Sequence, residues 1–335
     1  MRTRCATVLL HRTRVPSRLQ RQRAPPCHAP RAAASTSGVD DTQLPFALKR
    51  VDVQIADWGS VRVVVPASED EARAQPLRRS GTVSVDNHTS LIGARPLHRD
   101  QPWRRRCAEP MLSSRRRKAS YFACADPFFC SIWPSSIALA ENLLKQPKLA
   151  VGKRVIDVGC GLGLGGLAAA LAGARAVVLA DREVFALRCA LLTSEANGLT
   201  PLPLELGASG AGGRVVRSVL EPSSGAAGSG TIGALEVDWN APPAELRGCF
   251  DLVTACDVLY ERAAAASVSA LALHLLAPGG MLLLADPPLR TPGNRESFIA
   301  ALEGSFTAVH TEEQRIFDAD GKPADVRICM FSGKR

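Results

Sequence analysis

Short apolar runs alternate with amphipathic helical patterns through the second half of the chain. The helical patterns repeat apolar residues every three or four positions, and the first, PSSIALAENLL, begins with Pro and Ser. Regular alternation of strands and helices predicts a mainly parallel sheet with right-handed crossovers. The runs that predict strands are RVIDV (154–158), AVVLAD (176–181), ALEVDW (234–239), FDLVTACDVLY (250–260) and MLLLAD (281–286).

The end of the chain has a different pattern. FTAVHTEEQRIF and DVRICMF flank the turn sequence DADG (318–321), which predicts an antiparallel pair. We therefore predict an α/β fold over residues 120–335: a doubly wound, Rossmann-like, seven-stranded sheet with an antiparallel C-terminal strand pair. An earlier segment, 51–65, alternates apolar and polar residues around Asp57-Trp58-Gly59 and predicts a β-hairpin extension within residues 39–65.

The net charge of +9 is concentrated in two segments. Residues 1–38 contain eight Arg and no acid, and residues 76–118 also contribute +8, which leaves −7 for the rest of the chain. We predict that residues 1–38 are a disordered organelle transit peptide, for the chloroplast with the mitochondrion as the alternative. Residues 66–118 read as a basic, disordered segment. The acidic remainder makes a nucleic-acid partner unlikely.

The ten cysteines show no C-x-x-C spacing and predict buried thiols of a reducing compartment, with no metal site. No apolar run reaches the length of a membrane span, so we expect a soluble protein without a membrane partner. We expect a monomer.

The stretch RVIDVGCGLGLGG (154–166) joins a strand to a series of glycines. Its spaced glycines fit G-x-G-x-x-G, the pattern of dinucleotide sites, in which amides at a helix N-terminus hold a pyrophosphate. Asp157 stands two residues before Gly159, and its carboxylate would repel that anion. A sulfonium ligand with an ammonium group carries no phosphate, so an acid here favours it, directly or by ordering the loop. We infer that the ligand is S-adenosylmethionine, held by Asp157, Gly159, Gly161 and Gly163.

Two later strand ends carry further candidate cofactor residues. Asp181 ends the second predicted strand, where a carboxylate can accept both ribose hydroxyls, although NAD sites also place an acid there. Asp238 and Trp239 end the third, where the edge and face of an adenine would lie. Packing of Trp239 on the sheet is an equal alternative.

These residues together resemble the class I, seven-β-strand methyltransferases, through D-x-G-x-G-x-G at 157–163, Asp181, Asp238-Trp239 and the PGG before the fifth strand. The resemblance covers roughly residues 126–335. Two segments are similar to the family-16 protein methyltransferases, most of which methylate lysine side chains of specific proteins. DPFFCSIWPSSIALAENLL (126–144) resembles their Trp-containing entry helix, and DVLY (257–260) resembles their D-x-x-Y motif.

The resemblance implies catalytic roles for two residues and a protein substrate. Asp257 would orient the incoming lysine amine, and Tyr260 would line the same pocket. Trp133 would flank the cofactor, and Cys256 is assigned to the cofactor site as well. Capping of the next helix by Asp257 and simple packing of Tyr260 are the alternatives.

Other functions remain open at this point. A methyltransferase of the same fold could act on a small molecule or on RNA. An NAD-dependent oxidoreductase and a non-catalytic binding module are less favoured, because of Asp157 and the antiparallel end in the first case and the intact motifs in the second. The sequence Asp286-Pro287-Pro288 resembles a motif of adenine-methylating enzymes, but it follows the fifth strand and is read as a substrate-side loop.

Overall fold

The fold is described by a computed structural model, which covers residues 44, 46–68, 127–202, 204 and 230–335. The predicted transit peptide (1–38) lies outside the described residues. So do nearly all of the predicted basic segment 66–118 and most of the loop expected between the second and third strands of the sheet.

Seven strands form one sheet in the described part of the chain, and two form a separate hairpin. The order across the large sheet is β5-β4-β3-β6-β7-β9-β8. The five strands from β5 to β7 are parallel, while β9 runs antiparallel to both of its neighbours, β7 and β8. The predicted doubly wound sheet with an antiparallel C-terminal pair is thereby confirmed. The strands are β1 (Leu48–Ile55), β2 (Gly59–Pro66), β3 (Arg154–Val158), β4 (Ala176–Asp181), β5 (Thr231–Glu236), β6 (Phe250–Cys256), β7 (Leu276–Asp286), β8 (Phe306–Phe317) and β9 (Pro323–Lys334).

Helices cover both faces of this sheet, so its central strands are apolar on both sides, as a parallel sheet requires. Along β3, Val155 belongs to one buried cluster and Ile156 to the other. The first cluster includes the helices α1 (Pro134–Lys145), α2 (Leu164–Leu171) and α3 (Val184–Ala196) together with the hairpin. The second includes α4 (Arg262–Leu275) and α5 (Pro292–Ala301).

The β1–β2 hairpin packs on α3. The backbone N–H of Val64 donates to Thr193 Oγ1 at 3.0 Å. Asn197, which ends α3, holds the Arg62 backbone from both sides: its Oδ1 accepts the Arg62 N–H at 2.9 Å, and its Nδ2 donates to the Arg62 carbonyl at 2.6 Å. The hairpin is therefore fixed to the same layer as the glycine loop that precedes α2.

Three of the predicted strands have different boundaries in the structure. β5 begins at Thr231 and ends at Glu236, so Asp238 and Trp239 lie beyond the strand rather than at its last positions. β6 ends at Cys256, so the last four residues of the predicted strand 250–260 follow it. β7 begins at Leu276 and includes the PGG sequence expected as a turn, because the pairing with β6 shifts there and forms an irregularity between Phe250 and Leu252. These differences reflect pairing with neighbouring strands, which local composition does not reveal. Among the helices of the described ranges, none combines the length and apolar character that a membrane crossing requires.

Candidate active site

The glycine loop leads from β3 into α2 through a residue in the left-handed conformation. Gly163 is the N-cap of α2 and has φ of 81°. A Cβ at this position would lie 2.7 Å from the Ala190 Cβ of α3, too close for any side chain. Glycine thus satisfies two demands here, a positive φ and close packing of two helices. It has no side chain to cap the helix, so the first amides of α2 need another acceptor.

Asp157 supplies that acceptor from within β3. Its Oδ2 accepts the Gly166 N–H of the first turn at 2.8 Å, and its Oδ1 accepts the Thr254 hydroxyl of β6 at 2.7 Å. The side chain is fully buried. A carboxylate below the first turn also faces the positive end of the helix dipole. Of the two roles predicted for Asp157, the structure supports ordering of the loop, because both oxygens are occupied and neither reaches the surface.

Burial raises the pKa of the Asp157 carboxyl from 3.8 to about 6, and the hydrogen bonds from Thr254 and Gly166 oppose that rise. The carboxyl is therefore charged near neutral pH but at a cost to folding that disappears in mild acid. Protonation of this one buried carboxyl therefore changes the stability of the region where β3, the glycine loop and α2 meet.

Asp181 stands at the carboxyl end of β4 and faces the same loop. Its Oδ2 accepts the Gly161 N–H at 3.0 Å, and its Oδ1 accepts the Glu183 N–H at 3.0 Å. The side chain is only partly buried, as expected for an acid that a ribose can reach. Asp181 therefore sets the conformation of the glycine loop from the neighbouring strand, at the position where sequence placed the ribose contact.

Trp239 lies directly over the first glycine of the loop. A Cβ on Gly159, which has φ of 65°, would stand 3.1 Å from the Trp239 ring and 2.9 Å from Val258. The indole also packs against the second buried cluster, so it has a structural contact as well as a position at the site. Asp238 is exposed, and its carboxylate accepts hydrogen bonds from the backbone and side-chain amides of Asn240, which fix the turn after β5.

A series of aromatic rings runs from Trp239 across the carboxyl edge of the sheet. The rings of Trp239 and Tyr260 are 6.4 Å apart between centroids, Tyr260 and Phe128 are 5.1 Å apart, and Phe128 and Trp133 are 6.3 Å apart. The Trp133 Nε1–H donates to the Phe128 carbonyl at 2.9 Å. The entry segment before α1 and the D-x-x-Y segment after β6 therefore meet, and they join Trp133, Tyr260 and Trp239 in one wall.

Asp257 follows β6 at the end of this wall. Its backbone has φ of 55°, which is uncommon for a residue other than glycine, and its N–H donates to the Ala285 carbonyl of β7 at 3.0 Å. The residue as a whole is 8% exposed. Strained backbone at a strand end is frequent at functional sites, and here it turns a carboxylate toward the aromatic wall. Asp257 is not the N-cap of the next helix. That position belongs to Glu261, and its side chain makes no capping hydrogen bond to α4.

Arg290 is the site residue that sequence reasoning missed. Its guanidinium forms an ion pair with the Asp257 carboxylate. The same group lies over the Trp133 ring, 5.0 Å from the ring centroid. Burial lowers the pKa of Arg290. Sequence shows only that Arg290 follows a strand at its carboxyl end, and the direction of its side chain depends on the loop conformation.

A second buried ion pair fixes the base of the loop that carries Arg290. Arg295 Nε donates to Asp286 Oδ1 at 3.1 Å, and both side chains are 2% exposed. The Arg295 guanidinium also donates to the carbonyls of Pro287, at 2.5 Å, and Pro288, at 2.9 Å. Asp286-Pro287-Pro288 is therefore a structural anchor at the substrate side of the site.

The cysteines near the loop are unreactive thiols. Burial raises the pKa of Cys160 and of Cys256 well above 9, and the nearby acids Asp157 and Asp181 raise both further. Cys256 ends β6, the strand that pairs with β3 just before the glycine loop. Within the residues that the structure describes, no group of three or more His, Cys, Asp or Glu side chains is arranged to hold a metal ion.

Comparison with known families now gives this geometry a context. Residues 132–209 match the family model described as the methyltransferase small domain. That range contains the entry helix, the glycine loop and Asp181. Over these residues the chain is similar to that methyltransferase family. Its Rossmann-like sheet has one antiparallel strand, β9, between β7 and β8.

Curated relatives share the name electron transfer flavoprotein beta subunit lysine methyltransferase. The protein from Xenopus laevis is 33% identical over 147 residues, which are 43% of this chain and 58% of the relative. The protein from Danio rerio is 41% identical over 78 residues, 23% of this chain and 30% of the relative. The chain thus matches about one third to three fifths of the length of these relatives.

Solved methyltransferase structures are similar at low identity. The T. thermophilus 16S rRNA N2 G1207 methyltransferase, in complex with AdoMet and guanosine, is 16% identical with a TM-score of 0.46, over 87% of this chain and 52% of that one. The ribosomal protein L11 methylase from Lactobacillus delbrueckii subsp. bulgaricus is 16% identical with a TM-score of 0.38, over 60% of this chain and 79% of that one.

The residues of this methyltransferase fold suit S-adenosylmethionine. A Cβ on Gly161 would meet no atom of the described residues within 4 Å, so a ligand can approach the loop backbone there. Asp181 offers carboxylate oxygens at the end of β4, and Trp239 offers a ring face. Asp257 presents a carboxylate beside the aromatic wall. When bound, the cofactor supplies an electrophilic methyl group on a positively charged sulfur.

Proposed function

We propose that this protein is an S-adenosylmethionine-dependent methyltransferase that methylates a lysine side chain of a protein substrate. The observation that carries the proposal is the Asp257 carboxylate, which is nearly buried at the edge of the sheet and pairs with a cationic nitrogen group stacked on Trp133. A carboxylate and an aromatic face that hold one guanidinium can also hold one ammonium or its neutral amine.

The side chains of the site have different roles in such a transfer. A lysine amine is protonated at pH 7 and must lose a proton before it attacks, since the ordinary lysine pKa is about 10.4. Asp257 accepts a hydrogen bond from the amine and directs its lone pair toward the methyl group. Trp133 and Tyr260 exclude water around the amine and stabilise the methylated ammonium product by cation–π contact, about 0.5–2 kcal/mol for each favourable ring. Positioning supplies most of the rate in a displacement of this kind.

We further propose that the substrate is the β subunit of an electron transfer flavoprotein. Support comes from the curated relatives, which carry that substrate in their names. The protein is expected to act as a monomer. We also propose that residues 1–38 direct import into an organelle, the chloroplast first and the mitochondrion as the alternative; a fluorescent fusion of that segment decides between them.

The test measures methyl transfer from labelled S-adenosylmethionine to the purified flavoprotein β subunit, with peptide mapping of the modified residue. Asp257→Asn removes the charge but keeps the shape, and we expect its kcat to fall by about 10²-fold or more while affinity for S-adenosylhomocysteine is unchanged. Glu261→Gln is the matched control, an exposed acid four residues away, and should behave as wild type. Full activity of Asp257→Asn would assign amine orientation to another group. Absence of label on the flavoprotein, with cofactor binding intact, would redirect the search to other proteins.

A further inference from the structure

The contacts of Arg290 are those expected of a substrate rather than of a structural residue. Its guanidinium pairs with the carboxylate assigned to the substrate amine and lies over an aromatic ring assigned to the same pocket. These are two independent recognition elements for one cation. Resting on the proposed function, we infer that Arg290 occupies the place of the substrate lysine and must be displaced before that lysine can bind.

The pair joins the Arg290 guanidinium directly to the Asp257 carboxylate. Within the described residues, neither oxygen of Asp257 accepts a hydrogen bond of good geometry, and Arg290 Nε donates none. Both groups are largely withdrawn from water, since the side chain of Arg290 is 26% exposed and that of Asp257 is 6% exposed. An incoming ammonium can satisfy Asp257 equally well, so exchange of one cation for another leaves no buried charge without a partner.

Hydrogen bonds hold both ends of the loop that carries Arg290. Arg295 holds the carbonyls of Pro287 and Pro288 at one end. At the other end, Asn294 Nδ2 donates to the Leu259 carbonyl at 2.8 Å, which ties the start of α5 to the D-x-x-Y segment. Between these anchors Leu289 is 88% exposed. Withdrawal of Arg290 therefore requires rearrangement of only a few residues.

The decisive variant is Arg290→Lys, because it places an amine where the guanidinium lies. A lysine side chain is nearly as long as that of arginine. If position 290 corresponds to the substrate position, the variant will methylate itself: the amine nitrogen forms a bond to the methyl carbon, the carbon–sulfur bond breaks with its electrons remaining on sulfur, and the amine proton passes to water. S-adenosylhomocysteine is the other product. No protein substrate is needed.

The experiment incubates the full-length variant with S-adenosylmethionine and locates added methyl groups by tandem mass spectrometry. We expect methylation at position 290, at a first-order rate that does not depend on protein concentration. Lys322, whose side chain is 75% exposed, is an internal control and should remain unmodified. The double variant Arg290→Lys with Asp257→Asn should lose the modification.

Two further measurements separate this inference from the proposed function. If Arg290→Lys binds S-adenosylhomocysteine and methylates the flavoprotein but gains no methyl group at position 290, the inference is wrong and the proposed function stands. If wild type neither binds S-adenosylhomocysteine nor transfers methyl groups, both are wrong.

A second variant keeps the inference testable if Arg290→Lys does not fold. Arg290→Ala leaves the site open, and the KM for the protein substrate should fall by roughly three- to tenfold because the fraction of molecules with a free site rises toward one. An unchanged or higher KM in that variant would overturn the inference. Affinity for S-adenosylhomocysteine should remain that of wild type.

Discussion

Replacement of Asp157 distinguishes a structural carboxylate from one that acts on the ligand by its charge. Asn at this position keeps one acceptor for the Gly166 N–H, and its amide can donate to Thr254 Oγ1, whose hydroxyl can turn to the Ile156 carbonyl, 3.4 Å away. Ala at this position leaves the Gly166 N–H without an acceptor in a buried region and creates a small cavity.

The magnitudes follow from burial and pKa. Loss of the acceptor for the buried Gly166 N–H costs about 1–3 kcal/mol, whereas the Thr254 hydroxyl keeps the Ile156 carbonyl, so Asp157→Ala should lose roughly 1–3 kcal/mol of unfolding free energy. The raised pKa of Asp157 makes wild type more stable as pH falls. Because the folded pKa is about 6 and the ordinary value is 3.8, the folded state binds a proton first as pH falls. At about 1.36 kcal/mol per pKa unit, wild type gains up to roughly 3 kcal/mol relative to Asp157→Asn between neutral pH and pH below 4.

The assay is urea unfolding of wild type, Asp157→Asn and Asp157→Ala over a range from about pH 4.5 to about pH 8, together with titration calorimetry of S-adenosylhomocysteine. Asp251→Asn is a control of opposite sign, since the hydrogen bond from Arg154 lowers the pKa of Asp251, and stability from that pair is lost as pH falls through its folded pKa. We expect Asp157→Asn to bind the cofactor product nearly as wild type and Asp157→Ala to bind it weakly. A stability difference between wild type and Asp157→Asn that is independent of pH would refute the assigned pKa. Lost affinity in a fully folded Asp157→Asn would show that the charge itself is needed.

Two further perturbations test packing around the site. Gly163→Ala should lose about 2–4 kcal/mol of stability, because its Cβ would meet Ala190 at 2.7 Å and its backbone is left-handed. Gly161→Ala has open space around its Cβ in the described structure and should lose only about 1–2 kcal/mol, the cost of the left-handed backbone. Thermal unfolding of the two variants measures the difference, and equal losses would contradict the packing explanation. Asn197→Ala removes the hydrogen bonds to the Arg62 backbone, so amide hydrogen exchange in the hairpin should accelerate while the central strands stay protected. Unchanged exchange in the hairpin would mean that other contacts hold the hairpin to α3.

The sequence alone determined the fold class and the cofactor side of the site. Period-two and period-3.6 apolar patterns are local consequences of strand and helix geometry, so the alternation from 154 to 286 predicted the parallel sheet, and the final strand pair predicted its antiparallel end. The glycines before α2 could be recognised for the same reason. A positive φ or a close backbone approach requires glycine at one particular position, so these glycines appear in the sequence at a fixed spacing. Asp181 was predicted at a strand end, and its side chain does face the loop.

Tertiary structure decided which groups act together across the substrate side. The role of Asp157 as acceptor for α2 depends on the approach of a helix to the strand below it. The line of rings from Trp239 to Trp133 joins segments far apart in the chain. Arg290 could not be assigned from sequence because its position between two anchored loop ends, and not its residue type, turns it toward Asp257. Local patterns record what each residue needs from its own backbone, whereas a site assembled from several strand ends exists only once the sheet has brought those ends to one edge.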